Sequence, residues 1–274
     1  MVRGDPNAND WCYLRREIPH IWYVDDRFPT MGFMNRDEAT LLHNIALQFR
    51  GKAVLEIGCW MGWSSCHLAL ADVTLDVVDP VLADPIFHQS VSASLAAAGV
   101  AGKVTLHPLP SPEGVSIAAA RRGAPWSLLV IDGDHERAAP ARDVMACLDH
   151  CADDCAFVFH DLASPHVAEG LRMLEAKGFL VTLYQTQQIM GIAWRGNVNP
   201  PRHTPDPDVF WQMPHHLLGL PVSGLASPGH SALLYEKVLE QQDRITRLEH
   251  ELAEMRHGLS YRIRRRMGSW ARSQ

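Results

Sequence analysis

Apolar and helical segments alternate through the middle of the chain, and this alternation constrains the fold more than any other feature. The apolar runs predict strands, and the segments between them carry apolar residues at helical spacing. The predicted strands cover residues 52–57, 73–78, 104–107, 126–131 and 156–159, and the predicted helices cover 64–71, 84–98, 113–122, 138–150 and 166–177. Strands that are apolar throughout are buried on both faces, as in a parallel sheet covered by helices. The sequence therefore predicts a doubly wound, Rossmann-like α/β fold.

Two features complete the predicted domain, which we place at residues 36–195. A helix is predicted to begin after Asn35, a residue type that favours helix N-caps, and Glu38 three positions later fits a capping box. Residues 179–184 and 188–194 predict an antiparallel hairpin that closes the mostly parallel sheet.

Segments of different composition flank this domain. Residues 1–35 are rich in aromatic side chains and predict an N-terminal arm or lid. Residues 196–230 contain seven prolines together with His215 and His216, which is typical of a functional loop or a linker. Both segments either border the cleft or pack on the outside of the domain.

Residues 231–274 predict a coiled-coil helix. Val238, Ile245, Leu252 and Leu259 recur every seven residues, and Leu234, Leu248 and Met255 occupy the alternate positions. The pattern favours a homo-oligomer. Five arginines and no acid lie between 262 and 272, so we expect at most a peripheral contact with an anionic membrane surface.

Composition excludes several classes of protein. The net charge of −6 argues against a nucleic-acid partner. The chain begins without the apolar core of a signal peptide, and no run reaches the about 18 apolar residues of a membrane span. The six cysteines include no CxxC pair, which predicts reduced thiols and a cytoplasmic protein. Cys147, Cys151 and Cys155, spaced by four, predict one face of a helix or its exit.

Ligands of open α/β sheets bind beyond the carboxyl ends of the strands. Four clusters of Gly, Asp and His residues follow predicted strands at those ends, at 58–65, 79–80, 132–135 and 160–161. We therefore expect the functional site to be built from these four clusters.

The first two clusters predict the ligand. Gly58 and Gly62 allow a tight turn, and the segment lacks the G-x-G-x-x-G spacing of a dinucleotide site. Glu56 favours an amino-bearing ligand over a phosphate, and Asp79 is placed to accept hydrogen bonds from ribose hydroxyls. S-adenosylmethionine satisfies both acids. The alternative is that the two glycines only pack a strand-to-helix turn.

The same residues carry a resemblance to a known family. The E-x-G-x-x-x-G-x-S-S segment from Glu56 to Ser65, with Asp79, resembles the first two motifs of class I S-adenosylmethionine-dependent methyltransferases. The segments 131–135 and 159–161 resemble the subfamily that includes the macrocin, mycinamicin and rhamnosyl sugar O-methyltransferases and the cephalosporin hydroxylase proteins. The resemblance covers about residues 36–195.

This resemblance implies methyl transfer from S-adenosylmethionine to a hydroxyl, often with Mg²⁺. The cofactor-binding residues it implies are Glu56, Gly58, Gly62, Ser64, Ser65, Asp79, Ser111 and Asp132. It also implies metal binding by Asp132, His160 and Asp161, with Asp132 and His135 as catalytic residues and His135 as the base. His160 stands where relatives carry an acid, which favours a softer ion such as Mn²⁺. Asp134 is an alternative partner that orients His135.

The leading prediction is an enzyme that methylates a sugar hydroxyl of a glycan, a glycolipid or a glycosylated natural product. A second hypothesis is a catechol-type O-methyltransferase that acts on a small aromatic diol. A third is a non-catalytic S-adenosylmethionine-binding subunit that assembles a complex through its coiled coil. Loss of function on replacing Asp132 or His135 distinguishes the first two hypotheses from the third.

Overall fold

The computed structural model describes Met34, residues 36–204 and 213–224, and three residues farther along the chain, 244, 247 and 248. The helices are α1 (Arg36–Ala46), α2 (Trp63–Ala69), α3 (Pro85–Ala97), α4 (Glu113–Arg122), α5 (Ala139–Leu148) and α6 (Pro165–Ala176). The strands are β1 (Ala53–Ile57), β2 (Thr74–Val78), β3 (Val104–His107), β4 (Trp126–Ile131), β5 (Cys151–Phe159), β6 (Leu180–Tyr184) and β7 (Met190–Arg195). These bounds confirm the predicted alternation of strands and helices.

All seven strands form one sheet in the order β3-β2-β1-β4-β5-β7-β6. The first five strands pair in parallel, and β7 runs antiparallel to both β5 and β6. The sequence prediction of a mostly parallel Rossmann-like sheet with a closing hairpin is therefore confirmed. Strand β5 starts five residues earlier than predicted because Asp153 and Asp154 carry polar, exposed side chains that hide the strand pattern.

The register of the sheet aligns the carboxyl ends of its central strands. Ile57 at the end of β1 pairs with Val78 of β2 on one side and with Ile131 of β4 on the other. Ile131 in turn pairs with Phe159 at the end of β5. The residues that follow these four strands therefore meet at one edge of the sheet, as the strand pattern predicts.

Helices cover both faces of the sheet, and the central strands are buried almost completely. Leu128, Leu129 and Val130 in β4 have no exposed surface, although they point alternately to the two faces. Helix α1 buries Leu42 and Ile45 against the same core. Continuous apolar strands are stable here because both of their faces leave water.

The chain divides into two compact units, residues 1–224 and 225–274. The described part of the proline-rich segment belongs to the first unit: Val222 bridges to Leu183, and the Leu183 N–H donates to the carbonyl of Pro221 at 2.8 Å. In the second unit, Arg244, Arg247 and Leu248 are helical. The aromatic arm and most of the predicted coiled coil lie outside the described residues, so these two features stay predictions. No helix within the described ranges has the length and apolar character needed to cross a membrane.

Candidate active site

A cavity of about 450 Å³ opens at the carboxyl edge of the sheet, between the ends of β1, β2 and β4. Its size suits a small-molecule ligand, since such pockets are usually about 300–1,000 Å³. The polar and glycine residues that line it include Gly58, Asp79, Ser111, Asp132, Arg142 and Asp143. Four of the eight predicted cofactor-binding residues therefore lie on this cavity.

Gly58 is required at its position by both conformation and space. Its φ of +85° lies in the left-handed region, which a side chain disfavours. A Cβ on this residue would collide with the Asp132 carbonyl and would lie 2.8 Å from the Cα of Gly133. The missing side chain lets the turn after β1 approach the turn after β4, which brings the two sides of the cavity together.

Asp79 holds the glycine turn against the end of β2. Its Oδ2 accepts hydrogen bonds from the backbone N–H groups of Cys59 at 2.7 Å and Trp60 at 3.1 Å. Its Oδ1 accepts one from the Val81 N–H at 2.9 Å. A carboxylate offers about four acceptor positions, so one remains for a ribose hydroxyl. Asp79 therefore shapes the cavity wall in addition to its predicted role.

The other four predicted cofactor residues, Glu56, Gly62, Ser64 and Ser65, do not line the cavity. Glu56 is fully buried, and its Oε2 accepts a hydrogen bond from the Ser65 hydroxyl. Burial raises the pKa of Glu56 to about 8, although hydrogen bonds from the two serines oppose the shift. Its carboxyl group is therefore mainly neutral near pH 7 in this structure, and the attraction of the ligand's amino group by Glu56 stays a prediction.

A second cluster of ionisable side chains adjoins the cavity at Asp132. His160 lies at its centre: Nδ1 is 2.8 Å from Oδ2 of Asp161 and 3.2 Å from Oδ1 of Asp132. On the other side of the ring, Nε2 is 3.3 Å from Oε2 of Glu38. His135 completes the cluster, with Nε2 at 3.4 Å from Asp161 and 3.6 Å from Asp132.

The electrostatics of the cluster favour charged forms. Burial opposes protonation of His160, but the charges of Asp161, Asp132 and Glu38 outweigh it and raise its pKa. Burial likewise disfavours ionised Asp132, yet His160 and His135 lower the pKa of its carboxyl group. For His135, desolvation is again overcome by Asp132 and Asp161, and the pKa is raised. We infer an imidazolium at His160 that holds three carboxylates around it.

The structure places His160, one of the three predicted metal ligands, between carboxylates on both sides of its ring. Its Nδ1 and Nε2 both face carboxylates. Within the described part of the chain, Asp132, His135 and Asp161 also have ligand atoms that all lie within 4.8 Å of one another. Asp161 reaches this position through a left-handed backbone, with φ of +57°. Asp tolerates that conformation better than most residues do. His135 therefore joins Asp132 and Asp161 as a candidate ligand, and metal binding by His160 stays a prediction.

Sequence reasoning missed several residues of the site. The sequence pattern presents Glu38 as half of a capping box, but its carboxylate is buried, accepts a hydrogen bond from the Gln188 N–H at 2.8 Å and faces His160. Asp134 does not orient His135 through its side chain; its Oδ1 accepts from the Glu136 N–H. Arg142 and Asp143, a charged pair in a predicted helix, also line the cavity; Asp143, eight residues beyond His135, contributes to the resemblance but had no site role assigned to it from the sequence.

Asp143 combines burial with a ligand-facing position. Burial raises its pKa to about 6, and the nearby Ser111 hydroxyl, which lines the same wall, opposes the shift. Ser111 itself follows β3 as predicted. This carboxyl group and hydroxyl are therefore polar groups on the wall of the cavity.

Comparison with known proteins shows what the domain resembles. Residues 55–162 match the model of a family described as a methyltransferase domain. None of the curated proteins matches the chain significantly. Among solved structures, the chain is similar to the O-methyltransferase of tomaymycin synthesis from Streptomyces achromogenes in complex with S-adenosylmethionine, with 21% identity, a TM-score of 0.50 and coverage of 60% of this chain and 82% of that one.

Two further solved structures share the fold. An O-methyltransferase from Bacillus cereus in complex with S-adenosylhomocysteine has 13% identity and a TM-score of 0.53, over 60% of this chain and 83% of that one. A methyltransferase from Geobacter sulfurreducens has 18% identity and a TM-score of 0.50, over 60% and 81%. The family match runs from β1 to just beyond the end of β5, and the solved structures share this fold, so residues 55–162 are similar to a methyltransferase domain and the chain has the architecture of the solved O-methyltransferases.

Proposed function

We propose that this enzyme transfers the methyl group of S-adenosylmethionine to a hydroxyl oxygen of a sugar, in a glycan, a glycolipid or a glycosylated natural product. One observation carries the proposal: Asp132 lines the cavity and also belongs to the cluster that contains His135 and Asp161. Groups able to bind and deprotonate an acceptor therefore adjoin the expected methyl-donor site.

The reaction needs a nucleophilic oxygen, because a sugar hydroxyl is a weak nucleophile at neutral pH. The new oxygen–carbon bond forms as the sulfur–methyl bond breaks, and the hydroxyl proton must leave. We assign that proton to Nε2 of neutral His135, the ring nitrogen that faces Asp132 and Asp161. Because these carboxylates raise the pKa of His135, the neutral form that accepts the proton becomes more populated as the pH rises. The two carboxylates then stabilise the imidazolium that forms, and S-adenosylhomocysteine leaves.

The residues also fit a divalent ion. Asp132, Asp161 and His135 supply two oxygen ligands and one imidazole, a mixed set that suits Mn²⁺ better than Mg²⁺. A bound ion would supply Lewis acidity that lowers the pKa of the acceptor hydroxyl. Nε2 of His135 binds either the ion or the proton, so the two roles exclude each other on this atom. Metal dependence of the rate therefore reveals which role His135 has.

Support for a sugar acceptor comes from the resemblance of segments 131–135 and 159–161 to sugar O-methyltransferases. A catechol-type acceptor is the second candidate, because two carboxylates and an imidazole that hold a metal ion can present it to neighbouring hydroxyls of an aromatic diol. Acceptors of both kinds belong in the same assay, with mass spectrometry to detect the added methyl group.

The test begins with calorimetric titration of EDTA-treated protein with S-adenosylmethionine and S-adenosylhomocysteine, repeated with Mg²⁺ and with Mn²⁺. We expect micromolar binding of both ligands. His135→Ala should then keep cofactor binding and reduce methyl transfer about 100-fold or more. His215→Ala is the matched control, since His215 is exposed and lies outside the cluster.

Absence of cofactor binding under every condition would contradict the methyltransferase proposal as a whole. Unchanged function of Asp132→Ala and His135→Ala with intact binding would instead favour the non-catalytic scaffold subunit.

We also propose that residues 231–274 join copies of the chain as a coiled coil. The heptad pattern supports this, and Leu248 of the alternate seam is helical and half exposed in the single chain. Sedimentation of the full chain should show an oligomer that Leu252→Glu dissociates. The absence of nucleic-acid partners, the peripheral membrane contact and the cytoplasmic location stay predictions.

A further inference from the structure

Two cysteines lie close together at the end of the sheet opposite the cavity. Cys151 is the first residue of β5 and Cys155 the fifth. In a regular strand, four residues separate two side chains by about 13 Å. Strand β5 is bulged here, because Trp126 pairs with Cys151 but Leu128 pairs with Ala156. An advance of five residues along β5 therefore matches an advance of only two residues along β4. The bulge shortens this separation, and each thiol lies close enough to the other to shift its pKa.

Arg195 completes this cluster. It is the β7 partner of Cys155 in the sheet, and its Nη2 lies 3.4 Å from the sulfur of Cys151. The same nitrogen donates to the carbonyl of Ala152 at 3.1 Å, and the guanidinium lies over the ring of Phe179, 5.1 Å from its centroid. These contacts fix the cation beside the sulfur. The guanidinium of Arg195 is therefore held next to Cys151 by several contacts at once.

The two thiols differ in ways that suit different roles. Cys151 is half-buried and in reach of solvent, while Cys155 is fully buried. The neighbouring thiol of Cys155 and the charge of Arg195 lower the pKa of Cys151 to about 7, against desolvation, and the pKa of Cys155 is raised. Reactive cysteines in proteins are accessible, sit beside a cation and often have a resolving cysteine as neighbour.

We propose that Cys151 and Cys155 form a peroxide-sensitive dithiol, in which Cys151 is oxidised first and Cys155 resolves it into a disulfide. The Cys151 thiolate attacks one oxygen of hydrogen peroxide, the oxygen–oxygen bond breaks and hydroxide leaves. The resulting sulfenic acid is attacked by Cys155, the sulfur–oxygen bond breaks and water leaves. Two thiols and one peroxide thus give one disulfide and two waters, and a dithiol reductant reverses the change.

Limited alkylation of the reduced full chain with iodoacetamide at pH 7, mapped by peptide mass spectrometry, tests the first step. We expect Cys151 to react about fourfold faster than it does in the denatured chain, because its larger thiolate fraction outweighs its lower nucleophilicity. Cys147, buried in α5, should be protected. Arg195→Gln should slow the alkylation of Cys151 about threefold.

Treatment with hydrogen peroxide tests the second step. The peptide that contains residues 151–155 should lose two hydrogens, and fragmentation should locate the bond between Cys151 and Cys155. Cys147→Ser is the matched control and should leave this product unchanged. Cys155→Ser should stop the reaction at a sulfenic acid on Cys151, which dimedone traps.

Either of two results in the unaltered protein overturns the proposal, even if a variant fails to fold. One is alkylation of Cys151 no faster than that of Cys147. The other is a peroxide product that lacks the bond between Cys151 and Cys155. Neither readout depends on methyl transfer, so the result is independent of the proposed function.

Discussion

Glu38 reaches the centre of the candidate active site from a helix that lies outside the family-matched region. Its Oε2 is 3.3 Å from Nε2 of His160, and both side chains are almost completely buried. The other face of the His160 ring holds Asp132 and Asp161. Helix α1 is thereby connected to the ends of β4 and β5 through one imidazole, so the position of this helix and the charge balance of the site depend on each other.

Glu38→Gln should lower the free energy of unfolding by about 3 kcal/mol. The amide has the same shape but no charge, and it leaves a buried imidazolium without one of its partners. Urea denaturation at pH 7 measures the change. Glu175→Gln is the matched control, because Glu175 forms a partly exposed ion pair with Arg172 at 2.9 Å and pairs near solvent contribute little. Equal losses in the two variants would contradict a special role for Glu38.

Gly58→Ala should abolish binding of S-adenosylhomocysteine and destabilise the fold. The added Cβ combines an unfavourable φ with a collision against the backbone of Asp132 and Gly133, so the turn must move away from the cavity. Calorimetric titration measures the binding.

Gly178→Ala separates the two effects in the glycine experiment. Gly178 has nearly the same φ, +88°, but nothing lies within 4 Å of the position that an added Cβ would take. We expect it to keep full binding and to lose only about 1 kcal/mol of stability from backbone strain. Loss of binding in both variants would show that strain, and not the collision, is responsible.

His67 should make the fold sensitive to mild acid. Burial lowers its pKa to about 4, although the hydrogen bond to the Trp63 carbonyl opposes the shift. The unfolded chain therefore takes up a proton below about pH 6.5, while the folded chain stays neutral at this residue down to about pH 4. Stability from this source is present above pH 6.5 and is lost as the pH falls.

Between pH 7 and pH 5 the loss from His67 should be about 2 kcal/mol. Urea denaturation of the unaltered protein and of His67→Asn at both pH values isolates it, because all other titrating groups are common to the two proteins. The variant should be less stable at pH 7 but change less with pH. A parallel pH dependence of both proteins would be inconsistent with a buried neutral His67.

Replacing Asp76, a buried carboxylate in β2, should lower the stability of the fold strongly. It is buried in β2 and accepts hydrogen bonds from His107 at 3.0 Å, from Trp126 at 2.9 Å and from Arg122. Asp76→Asn should cost about 3–5 kcal/mol, because the amide turns donors towards donors. Thermal or urea unfolding measures the loss.

Asp72→Asn is the control for Asp76→Asn. Asp72 precedes the same strand and pairs with Lys103 at 2.7 Å, but both side chains are exposed. We expect no measurable change in stability, since solvent screens this pair. A similar loss of stability in both variants would show that burial is not the reason why the hydrogen bonds of Asp76 stabilise the fold.

Much of the fold was predictable because its signals are local. The apolar runs from Trp126 to Ile131 and from Val104 to His107 predicted β4 and β3 with their observed bounds. The start of β5 was missed because the bulge places exposed Asp153 and Asp154 within the strand, which removes the apolar pattern. Periodicity describes regular strands, and a bulge interrupts it.

The sequence by itself determined the layers of the fold and the edge of the sheet where Gly58, Asp79, Asp132 and Asp161 would lie, because strand burial and the topology of parallel sheets follow from patterns along the chain. Only the tertiary structure decided which ionisable groups lie together and which of them are charged. Glu38 faces His160 and bonds the backbone of Gln188, 150 residues away, while Glu56 is buried with two serines and becomes neutral. Charge states depend on distances through space and on the loss of water, and neither quantity is encoded in local spacing.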